Sequence, residues 1–233
     1  VSEIDIDLED PETVALWTAV GDLVQRLPGE WVLIGGLMVQ LHAISDVRPT
    51  ADIDVLGQAR PQGTLGAIHK ALEREGFEMV GPDLDGYAHR YERDGLIVDV
   101  LGPDGIHPPA TLAPGTTAVS TPGGTQALGR SEIVTVNVQG RSFQLRRPTL
   151  LGAILIKIRS LMVHSDPETH REDVLQLLTL VEDPREMAAG LRKTERRWLK
   201  QAGPRLNPAE LSSLDTASAL RAEQAYRLLV GEP

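Results

Sequence analysis

The 233 residues, 25.3 kDa and 41% hydrophobic, suffice for one large domain or two small ones with a core of their own. Cysteine is absent, which excludes disulfides, thiolate zinc sites and a cysteine nucleophile, so any metal must sit on oxygen or imidazole. The net charge of −10 argues against indiscriminate nucleic-acid binding, but it divides unevenly: residues 1–100 hold 7 basic and 19 acidic side chains, residues 101–233 hold 16 and 14.

The opening, Val1 to Asp10, is acidic and lacks the basic and apolar regions of an export signal, and no apolar run approaches the roughly 18 residues of a membrane span. The expectation is a soluble, cytoplasmic protein without a membrane partner. Asp10-Pro11 reads as a helix start, and the period of Leu16, Trp17, Val20, Leu23 and Leu27 predicts a helix over 11–27. Trp31 to Ile34 predicts a buried strand that leaves through Gly35-Gly36 into a helix over 37–44. Asp52 to Leu56 alternates polar with apolar, which as a strand puts both aspartates on one face. A helix over 62–75 follows, then strands at 77–80, 87–93 and 96–101, the last two joined by the hairpin signal Asp94-Gly95.

Residues 102–130, with five prolines and many glycines, predict a long loop; Gly123 to Gly129 lacks the Lys-Ser/Thr of a P-loop and reads as flexible. A second hairpin is expected over 133–145, and helices over 148–164, 168–181, 184–201 and 208–229. The expected fold class is α+β, a mixed sheet domain over 1–146 followed by a helical bundle over 147–233.

Strands are poor places for carboxylates, so Asp52, Asp54 and Asp99 stand out; Asp99 lies within an apolar β-prone run. Each alone reads as a strand-end residue facing water. Together on neighbouring strands they would repel unless a divalent cation neutralised them, and hard oxygen donors favour Mg²⁺, with Mn²⁺ the alternative. Glycines at a strand-to-helix turn read either as a tight turn or as backbone that approaches a phosphate. The six histidines show no metal-ligand spacing and take no role.

Gly35-Gly36, the run Arg48-Pro49-Thr50-Ala51-Asp52-Ile53-Asp54, and the later Asp99 resemble the nucleotidyltransferase superfamily with a polymerase-beta-like palm. Within it the chain is most similar to the AbiEii/MenT group of nucleotidyltransferase toxins, over about residues 30–175. The spacer of 15 residues between Gly36 and Asp52 is longer than in the Gly-Ser members of the superfamily. The resemblance implies catalytic and metal-binding roles for Asp52, Asp54 and Asp99, with Asp99 also a candidate base. It implies nucleotide binding by Gly35, Gly36, Thr50 and Lys157. Lys157 alone would read as a snorkelling lysine in an apolar helix. Arg48, Arg159 and Asp173 would be supporting residues; Asp173 would position Lys157 or Arg159, or be an ordinary surface charge.

The acceptor implied by the resemblance is a tRNA 3′ end, the donor an NTP, and the partner an antitoxin protein. Residues 185–205 carry seven basic and two acidic side chains. Arg192, Lys193, Arg196, Arg197 and Lys200 form a stripe that is either simply solvated or guides RNA phosphates. The alternatives are a small-molecule nucleotidyltransferase acting on an antibiotic or metabolite hydroxyl, and a non-catalytic palm-like binding module.

Overall fold

The computed structural model describes residues 1–7, 10–43, 49–59, 64–163, 167–206 and 215–232. β1 (Ser2–Ile6) buries Ile4 and exposes the acidic Glu3 and Asp5. α1 (Pro11–Arg26) starts where Asp10 accepts a hydrogen bond from the Thr13 N–H at 2.8 Å, and buries Leu16, Trp17, Val20 and Leu23. β2 (Trp31–Ile34) is buried throughout and runs directly into α2 (Gly35–Ala43).

The next elements are β3 (Asp52–Gly57), α3 (Thr64–Arg74), β4 (Glu78–Met79), β5 (Tyr87–Ala88), β6 (Arg90–Arg93) and β7 (Leu96–Pro103). β6 and β7 form the expected hairpin, closed by Asp94 and Gly95, both at positive φ, as a two-residue primed turn requires. The segment expected as a long loop is instead structured: β8 (Thr111–Ala113), β9 (Thr116–Ala118), β10 (Ser120–Thr121) and α4 (Gly124–Gly129). Its strands are two or three residues long, too short to show a period, and Pro108, Pro109, Pro114 and Pro122 lie outside them. Gly123, at φ 83°, packs against α4's successor helix where a Cβ would meet the Ile156 Cα at 3.0 Å. Both its N–H and that of Thr125 donate to the Asp104 carboxylate. The glycine-rich stretch is therefore a capped helical turn, not a flexible loop.

β11 (Ser131–Val138) and β12 (Arg141–Pro148) form the second hairpin, and β1, unrecognised as a strand in the sequence, pairs parallel with β11. α5 (Leu150–Val163), α6 (Glu168–Thr179), α7 (Pro184–Ala189), α8 (Lys193–Ala202) and α9 (Thr216–Val230) complete the chain. The single helix expected over 184–201 is two, interrupted at Gly190. The expected helix start at Asn207-Pro208 and the ends at Ile44 and His164 lie outside the described residues.

Among the described residues the central sheet has the order β2-β3-β7-β6-β4, with β10 paired to β7. β3 and β7 are parallel and the other neighbours on that path antiparallel, so the sheet is mixed and the architecture α+β. Ile53, Val55, Val98 and Val100 are fully buried on one sheet face, over Trp17 and Val20 of α1 and Leu72 of α3. A second core gathers Ile34, Met38, Leu56 and Ala127 with Ile154 and Ile158 of α5, Leu177 of α6 and Leu229 of α9. The sheet thus separates two apolar bodies, and the acidic face of β3 and β7 looks toward the helices. Among the described residues no helix is long and apolar enough to cross a membrane.

Candidate functional site

Parallel register fixes the acidic cluster. Asp54 on β3 pairs with Asp99 on β7, and Asp52 lies two residues before Asp54, so all three side chains leave the sheet on one face. One oxygen from each lies within 4.8 Å of the others. They open into a cavity of about 520 Å³, whose wall includes Gly35, Gly36, Arg90, Ser120, Thr121, and Lys157.

The glycine pair is required by this packing. Gly35 has φ 73°, and a Cβ there would fall 1.7 Å from the Asp54 Oδ2. A Cβ on Gly36 would fall 2.7 Å from the Thr50 Oγ1. Thr50 in turn donates its hydroxyl to Asp52 Oδ1 at 3.0 Å, which orients the first aspartate. The backbone at the start of α2 therefore lies against the carboxylates, and a helix N-terminus there places partial positive charge at the cavity.

Arg90 was not singled out in the sequence, yet it makes two hydrogen bonds to the cluster. Its Nε donates to Asp99 Oδ1 at 2.9 Å and its Nη2 to Asp99 Oδ2 at 2.8 Å, while Nη2 also lies 3.8 Å from Asp52 Oδ2. The hydrogen bonds and charge of Asp99 push the Arg90 pKa upward, so the guanidinium is a permanent cation. The signal was present: a two-residue turn at Asp94-Gly95 pairs Arg93 with Leu96 and, three residues further, Arg90 with Asp99. His89, whose Nε2 lies 3.9 Å from Asp99 Oδ2, also lines the cavity, as do Ser160 and His170.

Lys157 does not snorkel. It is 4% exposed and donates from Nζ to Asp173 Oδ2 at 2.6 Å, with Asp173 2% exposed, so α5 and α6 are joined by a buried ion pair on the cavity wall. Asp173 is thus no ordinary surface charge. Arg159 is not among the lining residues; its guanidinium lies over the Trp198 ring, 4.8 Å from the centroid. Arg48 lies outside the described residues.

The basic stripe is only partly a surface. Arg192, Lys193, Arg197 and Lys200 are exposed. Arg196 instead turns inward, donating to the carbonyls of Leu229 and Ala188 at 2.8 and 2.9 Å. The break at Gly190 makes Arg192 the N-cap of α8 rather than part of a continuous helical stripe.

Three carboxylates gathered on rigid strands, with hard oxygen donors facing a cavity, fit a divalent cation such as Mg²⁺ or Mn²⁺. No protein-family model matches the sequence, and no curated protein matches it. Solved structures share the fold, and they are nucleotidyltransferase-like. An antigenic nucleotidyltransferase-like protein from Paracoccidioides brasiliensis matches with a TM-score of 0.51 at 20% identity, over 89% of this chain and 92% of its own. The solution structure of the antibiotic-resistance factor ANT(2″)-Ia matches with a TM-score of 0.51 at 14% identity, over 83% of this chain and 96% of its own.

Proposed function

We propose that the chain is a divalent-cation-dependent nucleotidyltransferase that moves a nucleoside monophosphate from an NTP to an acceptor hydroxyl. The observation that carries this is the convergence of Asp52, Asp54 and Asp99 within 4.8 Å beside the Gly35-Gly36 turn. Asp52, Asp54 and Asp99 would hold Mg²⁺, which neutralises phosphate charge and makes an acceptor hydroxyl more acidic. The α2 N-terminus offers backbone N–H groups to the phosphate chain, and Lys157, held by Asp173, offers a fixed positive charge. Thr50 keeps Asp52 oriented. Arg159, over the Trp198 ring, supports the site from outside the cluster, and Arg48 is a further supporting residue.

In the reaction the acceptor oxygen bonds to the α-phosphorus as the bond to the β-phosphate bridging oxygen breaks. Pyrophosphate leaves, and the hydroxyl proton passes to Asp99 as base. Residues 1–146 act as the palm and 147–233 as the helical part, in the cytoplasm where NTPs are supplied.

The acceptor we favour is an RNA 3′ end, tRNA in particular, as in an AbiEii/MenT-like toxin restrained by an antitoxin. The exposed cations Arg192, Lys193, Arg197 and Lys200 support it. A cationic small molecule is the second reading, favoured by the acidic first hundred residues and by the likeness to an antibiotic-resistance factor. The test is incubation with Mg²⁺, a total tRNA pool and each of four α-labelled NTPs. Labelled tRNA, absent with Asp54→Ala, is expected. Transfer to an aminoglycoside but not to tRNA would establish the second reading, and pyrophosphate release with neither acceptor labelled would refute both.

A further inference from the structure

The Arg90 fork occupies both oxygens of Asp99 and reaches toward Asp52, the same atoms that the proposed cation would need. The guanidinium takes one lone pair on each Asp99 oxygen and holds a positive charge there. A divalent cation approaching the same carboxylate meets a partner already in place and charge repulsion, so the two compete. Arg90 is the group able to move: its side chain is 38% exposed, against 8% for Asp99, and it lines the open cavity. Asp99 is fixed in the middle of β7, between the buried Val98 and Val100. The planar fork that fits a carboxylate fits a phosphate equally well, and the cavity it faces is also walled by Gly35, Gly36 and Lys157.

We infer that Arg90 is a two-position residue: it neutralises Asp99 while the site is empty, competes there with the incoming cation, and passes to the phosphate chain when a nucleotide enters. This rests on the proposed nucleotidyltransferase reading and adds its order: the cation binds weakly alone and tightly only with a triphosphate, because the nucleotide gives the displaced guanidinium a new partner. Site assembly is thereby coupled to substrate.

The coupling predicts changes of opposite sign for two ligands, which a merely structural role would not give. Free Mn²⁺ followed by electron paramagnetic resonance, without nucleotide, measures the competition. Arg90→Gln is expected to bind Mn²⁺ about tenfold more tightly than wild type. The gain should persist in about 1 M KCl, where the Debye length of about 3 Å screens a general change of field. Equilibrium dialysis of each labelled NTP with Mg²⁺ measures the handover, and the same variant is expected to bind triphosphate about tenfold more weakly. Arg90→Lys, which keeps the charge without the fork, should fall between the two in both assays and provides a second folded variant.

An unchanged or weaker Mn²⁺ affinity in Arg90→Gln overturns the competition. Tighter Mn²⁺ with undiminished triphosphate binding overturns the handover. Wild-type protein that binds neither Mn²⁺ nor any NTP would overturn the proposed function itself, and this inference with it.

Discussion

Gly35 shows how little tolerance the site has at the scale of one residue. Its φ of 73° is available to glycine at no steric penalty, and the hydrogen in place of Cβ leaves room for the Asp54 carboxylate. Gly35→Ala would press a methyl into Oδ2 of Asp54 while straining the backbone. The expected result is nucleotidyl transfer reduced by roughly a hundredfold through misplacement of Asp54, with thermal unfolding showing the protein still folded. Steady-state kinetics beside a melting curve would check it; unaltered transfer would mean that Asp54 need not sit where the glycine holds it. The sequence displayed the glycines and aspartates but not Arg90, because an arginine beside a tyrosine in a short strand is unremarkable until hairpin register sets it against Asp99. Lys157 was ambiguous for a related reason: a lysine in an apolar helix is legible as unusual, but its carboxylate partner sits 16 residues away on another helix.

Elements were legible where their periods were long. α1, with Asp10-Pro11 at its start, and the β6–β7 hairpin, with its Asp-Gly turn, follow local rules that tertiary contacts did not override. β1 carried its own signal in the alternation of Ile4 and Ile6 with Glu3 and Asp5, but five residues so acidic gain strand character only from the parallel pairing with β11. The break between α7 and α8 was marked by Gly190, and its cause is tertiary. Glu195 of α8 is fully buried; it accepts from the Arg130 Nη2 and from the Arg192 backbone N–H, both at 2.8 Å. One carboxylate thus caps α8 and ties it to the end of α4. Glu195→Ala leaves the Arg130 guanidinium and a helix-end N–H without that partner and is expected to destabilise the fold by about 3 kcal/mol. Glu195→Gln, which retains an acceptor, should lose less. Denaturant unfolding of both variants measures this, and equal losses would show that a neutral acceptor cannot replace the carboxylate and that its charge carries the contact.

At the scale of the molecule, the two apolar bodies meet across the central sheet, and His42 sits at one seam. Its Nε2 lies 3.0 Å from the Pro148 carbonyl oxygen. Burial, then the charge of Arg147, lowers its pKa from 6.5 to about 4, against a smaller upward pull from the Pro148 carbonyl. The folded state therefore resists protonation that the unfolded chain accepts. The contribution is complete above pH 6.5 and is lost as pH falls from 6.5 toward 4, amounting to at most about 3 kcal/mol for this half-buried ring. His42→Gln should flatten the pH dependence of stability relative to wild type within that window; parallel curves for the two proteins would remove His42 as the cause.

The sheet also brings the first half's carboxylates to face α5 of the second, so the cavity belongs to both halves of the chain. What that cavity binds is open to direct observation by crystallography of the protein with Mn²⁺ and an α,β-methylene nucleoside triphosphate, using anomalous scattering at the manganese edge. A manganese peak within coordination distance of Asp52 and Asp54, with the phosphate chain along Gly35, Gly36 and Lys157, is the predicted result. Triphosphate bound elsewhere, or manganese absent from the aspartates at saturating concentration, would contradict it.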